Sequence, residues 1–173
     1  MPWGEWLTRW TVRLALCLYA VTVALRLTGP NYPRPARIAW TLGCALFLAH
    51  VGCAFHFVHG WSHARAYAET ARQTRELFGL DWGGGLYFNY LFTIMWVADV
   101  AYWWAGGLDA YERRPRQVEV SMHAFIALMA FNGAVVFARG VTRWVAVAIT
   151  VGLALLALAR SGRIGERRGG GLG

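Results

Sequence analysis

Four of the five histidines, His50, His56, His59 and His63, fall within one short stretch of the chain. Imidazole is the commonest side-chain metal ligand, and it changes charge close to neutral pH. On one continuous helix, at 100° per residue, His56, His59 and His63 lie within about 60° of one another. Such a His-x2-His-x3-His stripe offers two or three nitrogens to Zn, Cu or Fe. A straight helix does not aim three rings at one tetrahedral ion, so another element must add a ligand or a water. Asp81 and Glu69 are the nearest carboxylates, while Asn89, Asn132 and Tyr67 are expected on the same face as groups that orient the rings. The competing expectation is polar helix packing, each ring hydrogen-bonded to a neighbouring helix.

His50 and His63 are thirteen residues apart, a spacing that resembles one found in the diheme membrane cytochromes of the b type. The resemblance implies haem b held between paired histidines of two helices. It is confined to that spacing, because His123 is the one other histidine and lies far along the chain. The four-histidine set is therefore incomplete. A single haem b, or one shared between chains, stands beside a transition metal as the cofactor expectation.

Asp99, Glu119 and His123 form a second group. Asp99 lies within an apolar stretch, where a carboxylate must be protonated, paired or turned to a polar cavity. Glu119 and His123 are one helical turn apart and are expected near the same end of the fold. A meeting of the three reads either as a proton or cation site or as a buried ion pair that fixes helix register.

Other chemistry finds little support. Cys17, Cys44 and Cys53 form no CxxC pair and read as small apolar fillers. The run Gly83-Gly84-Gly85 lacks the lysine and hydroxyl of a phosphate loop and is expected to be a flexible lead into a helix. Neither Gly-x-Ser-x-Gly nor HExxH occurs. The sequence thus leans away from an enzyme.

The elements that must position these groups follow from composition. Of 173 residues, 57% are hydrophobic and 15% charged, and the net charge is +8 with every basic residue an arginine. Soluble domains carry about 25% charge, so the balance excludes a disordered chain, a disulfide scaffold and an ordinary soluble enzyme. Five stretches approach the roughly 20 apolar residues that cross a bilayer, at about 10–28, 38–60, 84–106, 118–138 and 141–159. A cleaved signal peptide is the rival for the first, but Arg26 closes its apolar run and no small-x-small site follows. Residues 62–78 read as an amphipathic helix that stands on the membrane or bends at Gly60 to lie along it, with Arg65 and Glu69, and Arg72 and Glu76, spaced for ion pairs. A proline-broken turn covers 29–37, a polar loop runs from Leu108 to Gln117, Arg139 and Gly140 make a tight hairpin, and 160–173 form a flexible basic tail.

The expected fold is an all-α membrane bundle of five spans with an amphipathic extension of the second. Ten arginines fall at one face and seven at the other, which places the N-terminus outside and the C-terminus in the cytoplasm of a bacterial inner membrane. The bilayer, membrane-protein partners or further copies of the chain are the expected partners. No basic groove or aromatic platform suggests nucleic acid. The leading functional expectation is an accessory subunit whose histidine-rich face binds a transition metal or haem. The alternative is a structural or assembly subunit without cofactor, in which the histidines serve helix packing.

Overall fold

The computed structural model describes the backbone of residues 2–28 and 33–169 and the side chains of residues 3–28 and 33–161. Residue 1, residues 29–32 of the expected turn and residues 170–173 of the expected tail lie outside the described residues. Among the described residues the fold has six helices: α1 (Pro2–Thr28), α2 (Pro33–Cys53), α3 (His63–Phe78), α4 (Gly85–Glu112), α5 (Arg116–Phe131) and α6 (Val141–Gly169). Single π-helical turns, Ala54–His59 and Asn132–Val136, extend α2 and α5. With these extensions, all but α3 are long and apolar enough to cross a membrane.

Aromatic packing holds α1, α2 and α4 together. Trp96 of α4 is fully buried, with Trp40 and Phe47 of α2 at 4.9 and 5.7 Å, Phe92 at 5.4 Å and Tyr19 of α1 at 6.3 Å between ring centroids. Gly43 lets these helices approach, since a Cβ there would stand 3.0 Å from the Trp96 ring. The helix α6 is outermost, with no buried residue in its 141–161 window. It runs parallel to α1, tied at one end by Arg13 donating to Thr142 at 2.9 Å and at the other by Arg160 donating to the Arg26 carbonyl.

Several helix ends depart in detail from the sequence reading. Of the two expected courses for the second span, continuation into the amphipathic helix or a bend at Gly60, the chain takes the bend. Gly60 and Trp61 both take positive φ, and Ser62 then caps a new helix by accepting from the Arg65 amide at 3.3 Å. The polar segment expected after the third span instead prolongs α4 to Glu112. Gly107, at φ 73° and ψ −177°, breaks the helix inside that stretch, a left-handed φ that glycine adopts without a Cβ clash. Finally, α6 runs on past the expected end of the fifth span, to Gly169.

The Arg139-Gly140 hairpin is tight, with Gly140 at φ 64°. Arg143 reaches back from α6 to the carbonyls of Val136 and Ala138, at 3.0 and 2.9 Å, covering acceptors that the end of the preceding helix leaves open. Gly83 serves close approach, where flexibility was expected: a Cβ there would collide with the backbone and ring of Tyr67. Its bare backbone seats α3 against the start of α4.

Candidate functional site

Two polar centres occupy opposite ends of the bundle. At one end, four of the long helices meet around Asp99. The break at Gly107 returns Tyr111 and Arg114 to the aspartate, although they follow it by twelve and fifteen residues. Asp99 Oδ1 accepts from Arg114 Nη1 at 2.6 Å, while Oδ2 accepts from Trp40 Nε1 at 2.9 Å and Tyr111 Oη at 2.8 Å. The Asp99 and Arg114 side chains are 2% and 4% exposed. The guanidinium also lies 4.0 Å over the Tyr111 ring, which stacks on Trp103 at 3.9 Å.

From Arg114 the network passes to His123 and Glu119 of α5. Nε2 of His123 lies 3.1 Å from Arg114 Nη2 and 2.6 Å from Arg26 Nη1. Arginine can only donate, so this nitrogen accepts from both, and a neutral ring must carry its proton on Nδ1. Arg26 also pairs with Glu119. Two guanidiniums, two carboxylates and a neutral imidazole leave the cluster balanced in charge.

Asp99, Glu119 and His123 therefore stand in one network, joined through arginines and not through direct contacts. Arg114 and Arg26 are the residues that sequence reasoning missed. The first falls in the expected polar loop and the second at a span boundary. A signal existed in Gly106-Gly107 ahead of Tyr111 and Arg114, a pair of glycines that can redirect a chain.

The histidine-rich end does not keep the expected shared stripe. The π-helical turn changes the angular spacing of His56 and His59, and the break at Gly60-Trp61 places His63 on a separate helix. The rings take different neighbours. His56 Nδ1 accepts from Trp61 Nε1 at 3.3 Å, and His63 Nδ1 lies 3.0 Å from the Tyr90 hydroxyl. The His59 ring packs edge-on to Phe55 at 5.7 Å, and His50 Nδ1 meets the Thr8 carbonyl at 2.8 Å.

Tyr67 packs near Tyr87, with ring centroids 6.3 Å apart. Asn89 is exposed and Asn132 half-buried, and among the described residues neither side chain hydrogen-bonds to a histidine. The carboxylates proposed as further ligands are engaged elsewhere, Glu69 with Arg72 at 2.5 Å and Asp81 with Arg75 at 3.5 Å. Among the described residues, no three His, Cys, Asp or Glu side chains converge to hold a metal ion. The expected metal-binding stripe is not supported, because the helix on which it depended is interrupted.

On α3, hydrogen bonding from Arg72 to Glu69 holds that carboxyl down at about 2, from an ordinary 4.5. A depressed carboxylate contributes stability above its ordinary pKa and loses it as pH falls through the folded value. The pairing of α3 should thus stay intact down to about pH 4.5 and weaken progressively toward pH 2. A carboxyl NMR titration of Glu69 is expected to show a midpoint near 2; a midpoint at the ordinary carboxylate value contradicts the pairing.

Comparison with known protein families, with characterised proteins and with solved structures gives no match.

Proposed function

We propose that this chain is a five-span membrane protein acting as an accessory or assembly subunit, with its histidines engaged in polar helix packing. One observation carries the reading: the imidazoles of the histidine-rich end take separate partners within the chain instead of converging on a shared centre. His50, His56 and His63 meet a carbonyl, an indole and a phenol respectively. His123 meets two guanidiniums. The apolar exterior supports the membrane setting, since Ile94, Leu155 and Leu158 are all more than 60% exposed and would otherwise face water. We place it in a bacterial inner membrane, where the arginine count puts the Asp99 end in the cytoplasm.

Two measurements on one preparation test this. Protein purified in mild detergent should show no Soret band and far less than one Zn, Cu or Fe per chain. A Soret band or stoichiometric metal overturns the packing role of the histidines. Solubilised from its own host membranes, the chain should run in a particle larger than the same chain expressed alone. Identical single-chain particles from both sources contradict a subunit role.

A further inference from the structure

We infer that an open cleft beside α3 binds the phosphate group of an anionic phospholipid; this rests on the membrane reading above. The cleft has a volume of about 420 Å³ and lies between the π-helical turn of α2 and the outer face of α3. Val58 and His59 form one wall, and Arg65, Glu69, Arg72 and Arg75 the other. These three guanidiniums and one carboxylate give a lining that favours an anion.

The guanidiniums are not equally committed. Arg72 is taken up by Glu69 and Glu76. Arg75 has only a long contact of 3.5 Å to Asp81, with both side chains more than half exposed. Arg65 makes no ion pair among the described residues, and its guanidinium reaches back toward Gly60. Arg65 and Arg75 therefore keep donors for a phosphate, which accepts from guanidinium in paired geometry. The imidazole of His59 adds a further polar group on the opposite wall.

The other wall argues for a lipid source. Val58 of the cleft wall is exposed, as are its near chain neighbours Phe57 and Trp61, at the end of an apolar helix long enough to cross a membrane. A ligand seated there meets cations on one side and apolar surface on the other. A phospholipid at the boundary of a bilayer has that division, its phosphate level with α3 and its chains along α2. Aromatic residues with arginines at this depth match the membrane interface.

Native mass spectrometry of the full chain, extracted from vesicles of equal phosphatidylglycerol and phosphatidylcholine, tests the proposal. Phosphatidylglycerol should be retained about tenfold or more over phosphatidylcholine, from the contribution expected of two arginines near an anionic headgroup. Arg65→Gln with Arg75→Gln should bring the ratio close to one. Arg34→Gln with Arg113→Gln removes equal charge at the opposite end and should leave the preference in place. Equal retention of the two lipids by the wild-type chain overturns the proposal, as does equal loss of preference in both double variants. Displacement of the lipid by millimolar inorganic phosphate overturns the lipid source in favour of a soluble phosphate. Carbonate washing of the membranes separates the two readings. Release of the chain overturns the membrane assignment and the lipid proposal together, whereas retention without preference overturns the lipid proposal alone.

Discussion

Replacing Asp99 with alanine should destabilise the bundle by about 3–5 kcal/mol, the cost of leaving a buried guanidinium without its counter-ion. Arg114 is almost wholly enclosed, and its two closest polar partners are Asp99 and His123. Losing the carboxylate leaves the charge with only the longer contact to Glu119, at 3.8 Å, and also deprives Trp40 and Tyr111 of their acceptor. Asp99→Asn keeps the volume and one acceptor oxygen, so it should cost less than Asp99→Ala. Removing both charges, in Asp99→Leu with Arg114→Met, should recover much of the loss because no unpaired ion remains. Unfolding of the detergent-solubilised protein by a graded denaturant checks the series. A change below about 1 kcal/mol for Asp99→Ala contradicts the burial of the pair.

Trp96→Ala should have an effect of similar size, about 3–5 kcal/mol, through a different mechanism. The indole fills the junction of α1, α2 and α4, with four aromatic neighbours and Gly43 against its edge. Its loss leaves a cavity that the rigid helices cannot close, so dispersion contacts disappear without replacement. Trp96→Phe should cost less, since it keeps an aromatic face toward Trp40 and Phe47. The same unfolding series reads both variants. Tolerance of Trp96→Ala within about 1 kcal/mol would place the packing centre elsewhere.

The fold was largely legible because apolar run length is a strong signal. Predominantly hydrophobic stretches bounded by Gly, Pro or Arg mark all five long helices. Tertiary geometry was less legible. Arg114 sits among charged residues, and nothing in its immediate sequence distinguishes it from Arg113, which remains exposed. Only the reversal at Gly107 turns it inward. Arg26 reads as a residue reaching for the interface, whereas it bridges α1 to Glu119 and His123 of α5.

The histidines show the opposite failure. Their spacing is regular, but a periodic stripe exists only on an uninterrupted helix. A π-helical turn and two successive left-handed residues at Gly60 and Trp61 redirect the chain between His56 and His63. Glycine at position 60 was a visible breaker. The positive φ of Trp61 had no comparable signal, since a non-glycine residue seldom adopts it.

Labelling of single cysteines with a membrane-impermeant maleimide tests the five-crossing account most directly. With Cys17, Cys44 and Cys53 replaced by alanine, one cysteine is placed in turn at Gly79, Arg139, Arg34 and Arg113. In spheroplasts, Gly79→Cys and Arg139→Cys should label at once if the histidine-rich end faces outward, as proposed. Arg34→Cys and Arg113→Cys should label only after the membrane is permeabilised. The mirror pattern would reverse the orientation, and labelling of Gly79→Cys and Arg113→Cys from the same side would contradict the crossing of α4 and with it the five-span bundle.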